Sequence, residues 1–236
     1  MGLVSVSKRS QGYAGAQHDG ARTDAVRLDE RRHQILDAAG RVFLKKGFAA
    51  ATMQDVAAEA GMSPGNLYRY FPAKDAIVAA LIEADRSDAA DKFAALAAAE
   101  DQLAAFEQLG RDYFLEEVCL NAPLTLEIWS AAGRDPALAR LCIGIECGIR
   151  DHLIEFLGRA AAQGVVHPSV DHDALADLIV LLGDGVIKAS AFGPAQDRAH
   201  AVETMFAVIR AVLEGRLALP PRAAAAPLRP SQPETE

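Results

Sequence analysis

The chain has 236 residues, 51% hydrophobic and 24% charged, the balance of a globular protein with room for one large or two modest domains. It contains no run of eighteen apolar residues, and its opening, MGLVSVSKRSQGYAGAQHDGA, lacks an apolar signal core, so neither a membrane span nor a secretory leader is expected. The net charge of −8 is uneven: residues 1–75 carry eleven Lys+Arg against eight Asp+Glu, and the remainder thirteen against twenty-four.

In chain order, residues 1–27 are rich in Gly, Ser and Gln and show no hydrophobic period, so a disordered extension is expected there. Arg22 and Arg27 are either a basic arm or part of a solvated tail. Asp29 is placed to cap a first helix with Ile35, Leu36, Ala39, Val42 and Phe43 inward and Gly47 as its stop. Thr52 caps a short helix ending at Gly61. Ser63 caps another, with Pro64 at the first helical position, where a missing N–H costs nothing, and Pro72 beyond its end. A longer helix follows over 74–98. Five more are predicted over 101–118, 123–133, 136–163, 171–191 and 197–217, with Pro123 and Pro136 in first turns. Residues 219–236, with five prolines, read as a disordered tail. No strand-like alternation or internal repeat occurs. The expectation is an all-α fold of about nine helices, with a head over 28–76 and a body over 77–218.

The informative stretch is 52–77. Two helices of about two turns, joined by Gly61-Met62-Ser63, make a helix-turn-helix. Val56, Ala57, Met62, Leu67 and Phe71 are expected to pack on Phe43 and Phe48, with Ala57 and Ala60 allowing a close crossing. The other face of 63–70 then offers Ser, Gly, Asn, Tyr, Arg and Tyr outward. Such a face suits phosphates and base edges better than a merely structural role. A mildly basic head on an acidic body is consistent with a molecule that meets phosphates at one end only.

These residues closely resemble the TetR family of bacterial transcriptional regulators. The match runs through Ile35-Leu36-Asp37-Ala38-Ala39, Phe43, Lys46-Gly47-Phe48, Thr52, Val56-Ala57, Ala60-Gly61-Met62-Ser63, Gly65 to Phe71, and Lys74. It is ungapped over 29–76; Met62 departs from the family's more frequent Val, and the rest of the chain resembles the family in helical layout only. The resemblance implies a homodimer on double-stranded DNA at a palindromic operator, with a small-molecule effector in the C-terminal domain, repression as the usual mode, and a cytoplasmic location. It implies DNA contacts from Thr52, Ser63, Pro64, Gly65, Asn66, Tyr68, Arg69, Tyr70 and Lys74. Physics supports several of these roles. Thr52 and Ser63 stand at helix N-termini, which favour anions. Tyr70 and Lys74 fall where they can hold the DNA backbone. Gly65 adds no bulk toward the groove, and Asn66 suits adenine. Tyr68 faces a thymine methyl or a phosphate, and Arg69 a guanine or a phosphate.

For the body, the resemblance implies that the last two long helices pair with those of a second copy. Leu175, Leu178, Ile179, Leu182 and Val186 on one helix, and Phe206, Ile209 and Leu213 on the other, are the expected interface; core within a single chain is the other reading. Phe93, Phe106, Phe114, Cys119, Leu126, Trp129, Cys142, Glu146 and Cys147 are the expected cavity wall, against the alternative of ordinary core. Cys119, Cys142 and Cys147 lack CxxC spacing and read as reduced thiols rather than a metal or disulfide set. His167 and His172, near Asp171 and Asp173, form too loose a cluster to favour a metal over helix capping. No GxSxG, HExxH, P-loop or GxGxxG occurs, so no enzyme, cofactor or metal is expected. A helical protein-interaction module or an enzyme without a recognisable motif are the rival readings.

Overall fold

A computed structural model describes residues 20–221, and among these every regular element is helical. Helix α1 spans Gly20–Lys46, α2 Met53–Glu59, α3 Pro64–Tyr70 and α4 Lys74–Ala97. Helix α5 spans Gln102–Asp112 and continues through a π turn, Tyr113–Glu117, into α6, Val118–Ala132; α7 spans Pro136–Ala162, α8 His172–Phe192 and α9 Ala195–Leu213. Of the tails expected over 1–27 and 219–236, residues 1–19 and 222–236 lie outside the described residues.

The head follows from its caps and its apolar positions. Gly47 ends α1 at φ +81° and Gly61 ends the α2 turn at φ +62°, a region where a Cβ is disfavoured. Ile35, Leu36, Ala39, Val42 and Phe43 of α1 are buried against Phe48, Val56, Ala57, Leu67 and Phe71. The Phe43 and Phe48 rings meet edge to face at 5.6 Å, and each buried ring or branched side chain contributes roughly 1.5–3 kcal/mol. Ile77, Val78, Leu81 and Ile82 bury the start of α4 in the same core.

Two expected boundaries move. Helix α1 starts at Gly20, so Asp29 lies inside it rather than capping it, and the boundary expected at residue 28 falls mid-helix. Residues 21–28 hold only Ala, Arg, Thr, Asp, Val and Leu, with no breaker to stop extension. Pro123 was expected to open a helix, but α6 runs through it from Val118. Pro123 has no N–H to offer the carbonyl four residues back; on either side of it two buried polar side chains fold onto the helix's own backbone, Asn121 Nδ2 donating to the Glu117 carbonyl at 3.3 Å and Thr125 Oγ1 to the Asn121 carbonyl at 3.2 Å. Just upstream, the π turn closes with the Val118 N–H on the Tyr113 carbonyl; such wide turns occur mostly as single insertions near functional sites.

In the body α4 packs on α7, and α8 on α6, α7 and α9. Arg150 of α7 pairs with Asp177 of α8 at 2.6 Å and with Asp173. Arg210 of α9 pairs with Glu107 of α5 at 2.5 Å. Helix α6 also touches α1 in the head.

Candidate nucleic-acid interface and interior cavity

Helix α3 carries the expected outer face. Ser63 caps it, its Oγ accepting from the Asn66 N–H at 3.3 Å, and Pro64 occupies the first helical position. Leu67 turns inward and is fully buried, which sets the register for its neighbours. Ser63, Pro64, Gly65, Tyr68 and Arg69 are exposed, Tyr68 by 51%. Asn66 and Tyr70 are half-buried, and Tyr70 packs on the core. A Cβ built on Gly65 would meet nothing within 4 Å. Packing within the chain therefore does not demand glycine there; the space it leaves open faces outward.

Thr52 and Lys74 are already engaged. Thr52 and Asp55 form a reciprocal capping box: the Asp55 N–H donates to Thr52 Oγ1 at 3.2 Å, and the Thr52 N–H to Asp55 Oδ2 at 3.0 Å. Thr52 Oγ1 also donates to Asp55 Oδ2 at 2.8 Å, and Lys46 Nζ lies 2.6 Å from Asp55 Oδ1. The Lys46 ammonium, then the Thr52 donors, hold the Asp55 carboxyl down at about 2. Lys74 Nζ donates to the carbonyls of Phe48 at 2.6 Å, Ala51 at 3.2 Å and Ala49 at 3.4 Å, and sits 4.4 Å from the Phe48 ring centre. It clamps the loop between α1 and α2, so any contact with a phosphate would have to be shared with these carbonyls.

A residue with no local signal in the sequence connects head and body. Glu127 of α6 accepts from the Phe48 N–H at 2.5 Å, and a Cβ on Gly47 would fall 2.9 Å from its carboxylate oxygens. An acid at an outward position of an amphipathic helix reads as solvated; its partner lies 79 residues away.

The body holds an open-mouthed cavity between α4, α5, the π turn and α7–α9. Phe93, Phe106 and Phe114 line it as expected. Leu126, Trp129, Cys142, Glu146 and Cys147 do not line it, and the Cys119 side chain lies outside the described residues. Helical period alone does not distinguish a wall from core, and Cys142 is buried core while Cys147 is exposed. Glu146 sits instead near Asp184; burial, then that second carboxylate, pushes its carboxyl up. Tyr113, Ile145, Ile149 and His152 are lining residues that the sequence reading missed.

The residues expected at a dimer interface are placed as follows in the single chain. Leu175, Ile179, Val186, Phe206, Ile209 and Leu213 are buried within the single chain, and Ile179, Phe206 and Ile209 line the cavity. Leu178 and Leu182 are half-buried. The apolar residues that α8 leaves open are Leu181, 67% exposed, and Phe192, 78% exposed. Among the described residues no group of three His, Cys, Asp or Glu is arranged to hold a metal, and no helix is long and apolar enough to cross a membrane.

Comparison with known proteins covers both parts. Residues 35–81 match the profile of bacterial regulatory proteins of the tetR family, and residues 121–217 match that of the BetI-type transcriptional repressor C-terminal domain. The chain is 30% identical over 182 residues to the HTH-type transcriptional repressor Rv1474c of Mycobacterium tuberculosis, covering 74% of this chain and 90% of that one. It is 26% identical over 163 residues to the HTH-type transcriptional regulator UidR of Escherichia coli, covering 66% and 79%. Among solved structures, a TetR transcription regulator from Haloarcula marismortui superposes with a TM-score of 0.69 at 22% identity, covering 79% of this chain and all of that one. GusR of Salmonella enterica superposes at 0.63 with 24% identity, covering 78% and 95%.

Proposed function

The chain belongs to the TetR family of bacterial transcriptional regulators, and from that premise we propose that it is a cytoplasmic homodimeric repressor that leaves a palindromic operator when a small molecule fills its cavity. Membership makes it a DNA-binding regulator rather than an enzyme. In this reading residues 28–76 are the DNA-binding head, and 77–218 the effector and dimerisation body.

One observation carries the DNA-reading role: the Ser63–Tyr70 face is open, with unfilled space over Gly65. Asn66 reads a base edge. Tyr68 and Arg69 reach bases or phosphates, and Ser63, Pro64, Thr52, Tyr70 and Lys74 set the backbone register. A single α3 spans too few base pairs to select one site, which a two-fold pair of heads remedies. The second copy docks on the α8 stripe containing Leu181 and Phe192. These are eleven residues apart, three helical turns, and so lie on one face.

Switching has two structural supports. Helix α4 lines the cavity from Asp85 to Phe93 and begins at the Lys74 clamp. Helix α6 continues from the π turn at the cavity to Glu127 on the Phe48 amide. The two α3 helices must sit about 34–36 Å apart, or a multiple of that, to meet successive half-sites. A ligand lowers operator affinity only by favouring a state with a different spacing. The test is fluorescence anisotropy of the purified protein on the DNA upstream of its gene. Saturable, sequence-specific binding is expected, with two-fold symmetric protection when the same complex is footprinted; binding no tighter than to unrelated duplex would overturn the reading.

A further inference from the structure

We infer that the cavity is built for an uncharged guest: an apolar ring body with one hydrogen-bonding group directed at the His152 imidazole. This rests on the effector reading of the same cavity and adds the chemistry of its occupant.

The walls are mainly flat and apolar. Phe93, Phe106, Phe114 and Phe206 line the space, with Phe106 and Phe206 edge to face at 6.2 Å. Such walls favour ring-shaped bodies through stacking and edge contacts. The charged groups near the mouth are already matched within the chain. Lys92 Nζ lies 2.8 Å from Glu117 Oε1 and 3.1 Å from Oε2, tying α4 to the π turn. Arg86 is held by both oxygens of Glu83, at 2.6 and 3.1 Å. Asp85 and Asp88 also have partners. An ionic guest at the wall would have to compete with the part-buried Lys92–Glu117 pair and leave one of its members without its partner; the exposed Arg86–Glu83 pair adds little to that barrier.

His152 is different. It lines the cavity, and its ring stacks on Phe93 at 5.4 Å with 17° between the planes. Among the described residues no hydrogen bond reaches its ring nitrogens. A neutral imidazole offers one donor and one acceptor, so a hydroxyl or a carbonyl on the guest satisfies it. Gly148, one turn earlier on α7, also lines the space, and a Cβ there would meet only Arg86 Cδ at 3.9 Å. The wall therefore has room beside His152, and a larger side chain at 148 would occupy it.

The test uses the full chain and probes of one ring size: naphthalene, a naphthol, a naphthoate and a naphthylmethylammonium, titrated by calorimetry without DNA. The naphthol is expected to bind at least about tenfold more tightly than either ion. His152→Phe keeps the stack on Phe93 and should lose about tenfold for the naphthol while leaving naphthalene unchanged. His152→Gln keeps a hydrogen-bonding side chain and should retain most of the naphthol affinity. Gly148→Leu should abolish binding of all four. Equal or tighter binding of either ion overturns the uncharged guest, and unchanged naphthol affinity in His152→Phe overturns the role of the imidazole. If the chain holds its operator but takes none of the probes up to millimolar concentration, this inference fails while the effector reading stands on its own test.

Discussion

Single residues divide into those readable from their neighbours and those whose partners are remote. The caps Thr52 and Ser63 and the turn residue Gly61 were legible because cap and turn chemistry acts within three or four residues. Asn66 belongs with them. Asn66→Ala should cost about 1–3 kcal/mol on the preferred operator and relax selectivity at one base pair, as read by gel shift across a mutated operator series. Lys74 was legible only in part. Its carbonyl partners lie 23–26 residues away, and no pattern in the sequence joins them. Lys74→Ala should therefore destabilise the head by about 1–3 kcal/mol in urea unfolding, besides any loss of salt-sensitive DNA binding. Asp55 gives a pH signature. Its folded carboxyl titrates at about 2 against an ordinary 3.8. The capping box therefore adds its stabilisation above about pH 3.8 and loses it as pH falls through about 2. A carboxyl NMR titration of Asp55 with a midpoint near 4 would contradict this.

At the scale of elements, the helices of the body were legible because their apolar residues recur at helical spacing. What each buried residue faces was not. Phe206 and Ile209 sit at the spacing of an interface helix, and so does any core residue; only the packing of α5, α7 and α9 together turns them toward a cavity. The continuous α5–π–α6 rod was also hidden, because a proline such as Pro123 resembles a helix start, whereas here it lies inside α6. That rod carries Glu127. Glu127→Ala should leave the fold intact yet speed hydrogen exchange at the Phe48 amide by about tenfold or more, because the N–H loses its acceptor. Protection equal to the parent's would mean that the contact does not hold the seam in solution.

For the whole molecule, the distribution of charge matches the division of labour. The first 75 residues, which contain α1–α3, are net basic and the remainder strongly acidic, so a duplex is drawn to one end and repelled from the other. Two copies joined through α8 would present both heads on the same side. Leu181→Glu should shift sedimentation toward monomer and weaken operator binding together, since a carboxylate facing its own two-fold mate is doubly unfavourable. A dimer unaffected by this change would place the contact elsewhere. Finally, the seam at Phe48 is grasped through the peptide backbone rather than through a side chain. Every amino acid except proline carries that amide, so a lineage is free to rewrite which bases its α3 recognises while the wiring to its sensor stays in place. A regulator linked in this way can acquire new target genes without relearning how to respond.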